Sequence, residues 1–474
     1  MKKNSIMKAI VITFFVYILL SWVIPTGSYQ NGVFTKGTTS PVGISDFLIY
    51  PISTSITSIF VLSALVILLI GGLYGVMNKT GVYQNIVEGA SEKFKGSEKS
   101  FLVISILLFA VLASLTTLIL PLFILVPFFI AVILKLGFNK ITAFLSTVGA
   151  ILVGCMGSTV GYNVEGYNFV NYFFNLKTTE NLGFKILLLV LLVVVLLIYV
   201  LKTSSITAKK GKKTAEEVEI PLYKKEEKSK KSSTALIVIS VISFVIIMVA
   251  MFNWSGALGK EKTIFDTWYT NLIETKVNGY PLFANLLGSV KQFGYWTNYE
   301  LAMAIALVTL IIGFVYNLKF KDTYEAAVEG MKEILPVAVV SVFANILLLV
   351  VNSASATFVT TIYHSFFTAV KGFNFMTMTV AGLIGSIGYS QFPYLMNSIY
   401  DPVNALYAKS IPEAAFILQA IYGFTMLLVP TSVGLVIGLK YLGISYKEWL
   451  KENWRLLLSL FATALIVIIL VTLI

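Results

Sequence analysis

Long uninterrupted apolar runs constrain this chain more than any other feature. The clearest runs cover residues 9–24, 60–76, 186–201, 235–252, 301–315 and 456–474, and longer ones cover 101–136 and 334–351. A helix needs about 20 apolar residues to cross a hydrocarbon core roughly 30 Å thick. We therefore predict an all-α polytopic membrane protein with about 10 to 12 transmembrane segments, some of them broken or re-entrant.

Composition and charge placement agree with this class. The chain is 57% hydrophobic and only 12% charged, whereas a soluble domain is nearer half apolar and a quarter charged. The net charge of +12 comes from lysines grouped between apolar runs, as in 79–99 and 202–231. This is the positive-inside pattern, so it predicts a cytoplasmic N-terminus and no nucleic-acid partner. With Cys155 as the sole cysteine, an intramolecular disulfide and a multi-cysteine metal site are excluded.

A charged segment divides the chain near its middle. Residues 202–233 are too charged for lipid and too poor in apolar residues for a core, so they are expected to form a flexible cytoplasmic linker. The predicted domains are a membrane half at 1–201, this linker, and a second membrane half at 234–474. Each half has a helix, a short basic loop and a VEGA or VEGM piece around Glu88 or Glu329. Such duplication is common in secondary transporters, and the inverted and parallel arrangements both remain open.

Four segments interrupt the apolar pattern with Ser, Thr, Asn, Gly and Pro. They are 114–127 (SLTTLILPLFILVP), 154–169 (GCMGSTVGYNVEGYNF), 352–404 and 425–434. Non-helical backbone survives in a membrane only beside protein or a water-filled cavity, where it can bind a solute or ion. We predict a re-entrant hairpin or kinked helix at 114–127 and a binding cavity at 154–169 and 352–404. Candidate ligands from these segments include Ser158, Thr159, Ser386 and Asn397.

Small residues also have a purely structural use. For Gly71, Gly72 and Gly75, close helix packing is the favoured interpretation.

Three of the titratable residues in these segments are candidates for a role in binding or coupling. Glu165 is either an intramembrane acid for a proton, a cation or a substrate ammonium group, or a solvated residue of an external loop. Asp401 precedes a proline and either joins the site or starts a turn. His364, the sole histidine, either relays protons or satisfies a backbone carbonyl.

The sequence resembles a known family. Residues 421–452 (IYGFTMLLVPTSVGLVIGLKYLGISYKEWLKE) are similar to the last block of the C4-dicarboxylate anaerobic carrier family. That family includes YfcC-type proteins, described as basic amino-acid antiporters, and belongs to the ion-transporter superfamily. Further similar segments are VIPTGSYQ at 23–30, GGLYGVMNKTGV at 71–82, and 294–340. The resemblance spans nearly the whole chain in the correct order.

The resemblance implies two hairpin-bearing repeats with a substrate site where the hairpin tips meet. It also implies a possible homodimer, since dimers are common in the superfamily. Carried over onto this sequence, the site residues are Ser114, Thr116 and Thr117 in the first hairpin, Asn163 and Asn168 after it, Asn352, Ser353 and Ser355 in the second hairpin, and Thr425, Thr431 and Ser432 in a late broken helix.

One departure from the family bears on the substrate. Where the family has Ala-Arg-Gly, this chain has VFANIL with Asn345, and its only arginine is Arg455 near the C-terminal membrane boundary. No bidentate arginine is therefore available for a carboxylate at the membrane midplane, and Lys371 is the favoured central cation, expected at a membrane interface. An amino acid or peptide-like zwitterion is favoured, with a C4-dicarboxylate or other carboxylate as the alternative.

Other functional classes fit less well. A channel would need a repeated selectivity motif, a membrane enzyme would need clustered catalytic groups, and an ATP-driven pump would need a P-loop. We predict a secondary transporter of the bacterial plasma membrane, working as a symporter or exchanger. No cofactor or metal is expected beyond a coupling H⁺ or Na⁺, and the bilayer and a small solute are the expected partners.

Overall fold

The computed structural model describes residues 5–45, 56–160, 163–164, 167–168, 173–204, 220–224, 229–260, 262–345, 357–389 and 391–473. Over these residues, eight helices are long and apolar enough to cross a membrane. Three shorter apolar helical stretches, Ile119–Lys135, Lys140–Met156 and Phe375–Gly388, accompany them. The predicted polytopic all-α class is confirmed, and one of the eight candidate spans, Ile411–Leu442, is interrupted at residues 429–432.

The elements follow in chain order. The first half contains α1 (Ser5–Val23), β1 (Gly27–Gln30), β2 (Val33–Lys36), α2 (Ile56–Lys79), α3 (Val82–Lys93), α4 (Glu98–Thr116), α5 (Ile119–Phe123), α6 (Val126–Lys135), α7 (Lys140–Phe144), a π-helical turn (Leu145–Gly149), α8 (Ala150–Met156), β3 (Asn163–Val164), β4 (Tyr167–Asn168) and α9 (Leu182–Thr203). The second half contains α10 (Thr234–Met251), α11 (Trp254–Leu258), α12 (Ile264–Glu274), α13 (Leu282–Leu287), α14 (Asn298–Val315), α15 (Phe320–Ala344), α16 (Phe358–Thr368), α17 (Phe375–Gly388), α18 (Phe392–Tyr407), α19 (Ile411–Leu428), α20 (Val433–Leu442) and α21 (Tyr446–Leu473).

Many lysine-bearing helix ends lie on one side of the molecule, which we call the lysine face. On this face the start of α4 lies beside the end of α9, where Lys99 Nζ donates to Leu201 O at 2.9 Å. The start of α10 likewise lies beside the end of α14, where Lys231 Nζ donates to Tyr316 O at 2.6 Å. The other ends of the helices form the opposite face, where the Asn181 side chain donates to Pro412 O at 3.1 Å.

The tightest packing joins α2 of the first half to α15 of the second. A Cβ on Gly75 would lie 2.1 Å from Ala326 O, and one on Gly330 would lie 2.0 Å from Gly71 O. Such distances are far below van der Waals contact, so only glycine lets the two backbones approach this closely. The packing interpretation of Gly71 and Gly75 is confirmed, and these residues form what we call the glycine seam.

Two helical hairpins enter the molecule from opposite faces. The first consists of α4 with α5 and α6, and both of its outer ends lie on the lysine face, where Lys135 Nζ is 4.0 Å from Glu88 Oε1 of α3. The second consists of α17 and α18, and its outer ends meet on the opposite face, where Thr377 Oγ1 is 3.4 Å from Tyr407 Oη. The predicted hairpin at 114–127 is confirmed. The second hairpin spans 375–407 rather than beginning in 352–375, because those earlier residues include the separate helix α16.

Part of the linker packs onto both halves. Leu222 is buried, its backbone N–H donates to Glu333 Oε1 at 2.6 Å, and its carbonyl accepts from the Asn78 side chain at 3.0 Å. Tyr441 Oη donates to Pro221 O at 2.8 Å. Residues 220–224, which we call the linker peptide, therefore tie α2 and α15 to α20 on the lysine face.

Candidate functional site

The helix break between α19 and α20 lies at the centre of the described site. Pro430 removes a backbone N–H, which ends the α-helical pattern, and the Ser432 side chain restarts it by accepting from Leu435 N at 3.3 Å. The carbonyls that α19 leaves without helical partners are met from α21. Tyr446 Oη donates to Leu428 O at 2.7 Å, and Trp449 Nε1 donates to Leu427 O at 3.0 Å. Side chains of α21 therefore satisfy the backbone carbonyls that the break exposes.

The tip of the first hairpin contacts the segment after α8. Thr117 has a left-handed backbone with φ of 54°, which ends α4 and reverses the chain. Buried Ser114 donates to Gly157 O at 2.9 Å, and its own carbonyl accepts from Thr159 N at 3.0 Å and from Ser158 Oγ at 3.3 Å. The structure therefore brings the predicted residues Ser114, Ser158 and Thr159 together.

The tip of the second hairpin contacts the end of α15. Gln391, at the turn, donates from its side chain to Asn345 Oδ1 at 3.3 Å. Asn345 is fully buried at the last turn of α15. Ser386 is also buried but donates to Gly382 O of its own helix at 2.6 Å.

Both hairpin tips lie against the same break. On one side, Ile119 of α5 is 3.3 Å from where a Cβ on Gly434 would be. On the other side, Thr431 Oγ1 donates to Ile387 O of α17 at 3.2 Å. Thr431 and Ser432 are fully buried. The described site is therefore a meeting point of helix ends, lined by hydroxyls, amides and backbone groups.

Two residues of this region were missed by the sequence analysis. Gln419 of α19 is 2% exposed and donates from Nε2 to Ser158 O, next to the first hairpin tip. Lys185 of α9 is 7% exposed and lines a small cavity together with Gln419 and Glu180. The signal for Lys185 was a lysine that directly precedes the apolar run 186–201, in LGFKILLL.

Among the described residues of this region, the buried cation is Lys185 and not Lys371. Lys371 lies in the exposed turn between α16 and α17, so the prediction that it is the central cation is wrong. Within the described residues, no carboxylate lies within the 4.0 Å of an ion pair with the Lys185 ammonium, although Glu180 is close enough to interact with it electrostatically. A buried ammonium without an ion pair is costly in a membrane and is suited to bind an anion.

The remaining predicted residues divide into four groups. Thr116 and Thr425 are buried and donate to carbonyls of their own helices, those of Leu112 and Ile421, both at 2.7 Å. Asn397 is exposed on α18, away from the break. Asn163 and Asn168 pair across the short β3–β4 ladder. Glu165, Asn352, Ser353 and Ser355 lie outside the described residues.

The two remaining titratable candidates are His364 and Asp401. His364 Nδ1 lies 2.7 Å from Tyr29 Oη, and its ring stacks on Phe34 with centroids 3.7 Å apart. Burial lowers the pKa of His364. The ring thus fastens the β1–β2 ladder to α16, and its nitrogen binds a tyrosine hydroxyl instead of the predicted backbone carbonyl. Asp401 is exposed within α18 and starts no turn.

Comparisons with known proteins complete these observations. No curated protein matches the sequence. Among solved structures, the chain is similar to the YdaH transporter of Alcanivorax borkumensis, whose structure is described as having an unusual topology. The identity is 12% and the TM-score 0.41, over 100% of this chain and 98% of that one. The sequence model of the C4-dicarboxylate anaerobic carriers matches residues 4–473. Because that match covers nearly the whole length, this protein belongs to the C4-dicarboxylate anaerobic carrier family and is a membrane transporter.

Proposed function

We propose that the chain is a secondary carrier of a small carboxylate-bearing solute, bound where the two hairpin tips meet the α19–α20 break. The observation that carries this proposal is that the tips approach one break from opposite faces, at Ile119 and at Ile387. A site between two such elements can be exposed to either side in turn, as alternating access requires. Transport is coupled to H⁺ or Na⁺, or proceeds by exchange.

A C4-dicarboxylate is the first candidate substrate. The family's description supports it, and so does Lys185, a buried ammonium that shares a cavity with Gln419 beside the first hairpin tip. One carboxylate of the solute would bind Lys185, and neutral polar groups at the helix break would bind the other. A charged hydrogen bond of this kind is worth about 1.5–3 kcal/mol.

An amino acid or peptide-like zwitterion is the second candidate. The described donors at the break are neutral, and Arg455 is exposed on α21, where it stacks against Trp454. A single carboxylate is satisfied by such donors, whereas a dianion needs more positive charge. Glu165, which lies outside the described residues, would bind the substrate ammonium in this case.

The membrane placement belongs to the same proposal. The lysine face is taken to be cytoplasmic in a bacterial plasma membrane, which puts the N-terminus and the linker inside. A homodimer is the proposed assembly.

The test is uptake of radiolabelled solutes into proteoliposomes containing the full chain. Succinate, fumarate and a panel of amino acids are compared under imposed H⁺, Na⁺ and counter-substrate gradients, for the wild type, Lys185→Gln and Glu165→Gln. Lys202→Gln is the matched control, because Lys202 lies exposed at the other end of α9.

Each candidate predicts a different pattern. For a dicarboxylate, Lys185→Gln should raise the KM for succinate roughly 10- to 100-fold, in line with a lost charged hydrogen bond, while Lys202→Gln and Glu165→Gln change little. For a zwitterion, an amino acid should accumulate and Glu165→Gln should abolish or uncouple its uptake. Accumulation of no carboxylate-bearing solute under any gradient would refute the proposed function.

A further inference from the structure

A second cavity, of about 390 Å³, lies on the lysine face. Its walls come from the start of α1, from α15, from the end of α20 and from the linker peptide, and its polar lining includes Ser5, Lys140, Glu333, Lys440 and Ser445. Its volume is within the roughly 300–1,000 Å³ of small-molecule sites. None of the central-site residues described above is among its lining residues.

The charge of this cavity is positive. Lys140 and Lys440 are half-buried, and neither is within 4.0 Å of a carboxylate belonging to the described part of the chain. The Lys140 ammonium is 3.8 Å from where a Cβ on Gly443 would be, so it lies beside the turn that ends α20. Glu333 is the one acid among the described lining residues, and it accepts the Leu222 N–H at 2.6 Å. Two ammonium groups thus line the cavity, and the one carboxylate among its described lining residues accepts from a backbone N–H.

The linker peptide forms one wall of the cavity. Pro221 and Leu222 line it, and they are fastened by Tyr441 Oη on Pro221 O and by the Asn78 side chain on Leu222 O. Lys224 Nζ adds an ion pair of 2.8 Å with Glu329 Oε1. This wall of the cavity is therefore a segment that is held by a few polar contacts.

We propose that this cavity is a second binding site, for a small organic anion with more than one acidic group, held by Lys140 and Lys440. Two half-buried ammonium groups with no ion-pair partner among the described residues are well matched by two carboxylates of one ligand. The occupant is either the transported solute on its way to the lysine face or a separate anion that controls closure of the linker peptide. The site goes beyond the proposed function, because it uses no residue of the helix break.

A cysteine reporter tests this proposal in the full-length protein. The only native cysteine, Cys155, is buried, so Ser445→Cys adds the single accessible thiol. A membrane-impermeant maleimide is applied to inside-out vesicles with and without succinate or inorganic phosphate. We expect succinate to slow labelling at least fivefold, and the further changes Lys140→Gln and Lys440→Gln to remove this protection. Lys319→Gln with Lys321→Gln is the matched control, since both lysines are exposed on the same face, and should leave protection intact.

The outcomes separate this site from the central one. Protection that persists with Lys185→Gln supports an independent site, even if no solute is taken up. Protection by a solute that is also transported identifies the occupant as that solute, and protection by phosphate without phosphate uptake identifies a regulatory anion. The proposal is overturned if neither anion protects, if the two lysine changes leave protection unaltered, or if Lys185→Gln alone removes it. Ser5→Cys is the second reporter if Ser445→Cys impairs the helix cap at Glu448, because Ser5 also lines the cavity and its hydroxyl accepts from Tyr446 N at 2.9 Å.

Discussion

The glycine seam and the α19–α20 break are both rich in small residues, yet the structure uses them in opposite ways. At the seam, Gly330 and Gly75 bring two unbroken helices so close that a single Cβ would overlap a carbonyl oxygen, at 2.0 and 2.1 Å. At the break, Pro430 interrupts the helix, and Tyr446 and Trp449 satisfy the carbonyls left behind. Glycine without a neighbouring proline or hydroxyl residue makes a rigid contact, whereas proline followed by Thr and Ser makes a site.

The two regions also differ in their contacts: those of the seam stabilise the fold, and those of the break can rearrange. At the seam, backbone packs directly against backbone, and these contacts do not depend on side-chain hydrogen bonds. The break and the hairpin tips are joined through single side-chain hydrogen bonds, such as Thr431 to Ile387 O and Gln391 to Asn345. Such bonds contribute about 1 kcal/mol each and can be exchanged for others. Substrate-dependent motion is therefore expected at the break and not at the seam.

The largest effect should come from adding one methyl group to the seam. Gly330→Ala places a Cβ 2.0 Å from Gly71 O, so α2 and α15 must separate. We expect the free energy of unfolding in detergent, followed by tryptophan fluorescence, to fall by about 2–3 kcal/mol. Gly89→Ala on α3 is the control, because its Cβ would meet nothing within 4 Å, and it should be neutral or slightly stabilising. Equal effects of the two changes would mean that the seam is not close-packed.

The second effect concerns the tip of the first hairpin. Ser114→Ala leaves Gly157 O without the hydroxyl that it now accepts from at 2.9 Å, which should cost about 1–3 kcal/mol and shift the tip. We expect uptake to fall at least tenfold. Ser105→Ala is the control on the same helix, because its buried hydroxyl bonds only to Phe101 O within α4. If both variants transport normally, the contact of this tip with the segment after α8 has no part in transport.

The sequence predicted the site better where helices break than where they carry an isolated charge. Proline, glycine and hydroxyl residues mark a break locally, so the regions around Ser114, Ser158 and Thr431 could be found from the sequence. Lys185 and Gln419 are brought together by the packing of α9 against the rest of the bundle, which no local pattern encodes. The same limit applies to the second hairpin, because SIGYSQFP at 386–393 has the same kinds of residues as NSASATF at 352–358. The choice between them depends on tertiary contacts of Gln391 and Ile387.

The third effect concerns the carbonyls of the break. Tyr446→Phe removes the donor to Leu428 O while keeping the ring, so one carbonyl in a largely apolar environment loses its partner. We expect a loss of about 1–2 kcal/mol in the free energy of unfolding and a lower transport rate. Tyr299→Phe on α14 is the control, since that side chain is 60% exposed, and it should have no effect. A Tyr446→Phe protein as stable as the wild type would show that water or the lipid interface satisfies Leu428 O instead.

The smallest effect should come from the linker peptide, because the contact that is changed there is a solvent-exposed ion pair. The Lys224 hydrogen bond and charge lower the pKa of Glu329, which lies outside the eight candidate spans. A lowered pKa in the folded state stabilises docking at a pH above the ordinary glutamate value of about 4.3, and this contribution is lost as the pH falls through the lowered value.

Because both partners of this ion pair are substantially exposed, the pair should contribute less than about 1 kcal/mol at neutral pH. The Leu222 N–H donates to Glu333 Oε1. Lys224→Gln should therefore speed the hydrogen exchange of this amide by roughly two- to fivefold. Lys321→Gln, which removes a fully solvated i,i+4 pair with Glu325, should leave that amide unchanged. An exchange rate that does not respond to Lys224→Gln would mean that the hydrogen bonds of Asn78, Glu333 and Tyr441 alone hold the linker peptide. The linker peptide would then be held without a contribution from this ion pair, as the glycine seam is held without any ion pair.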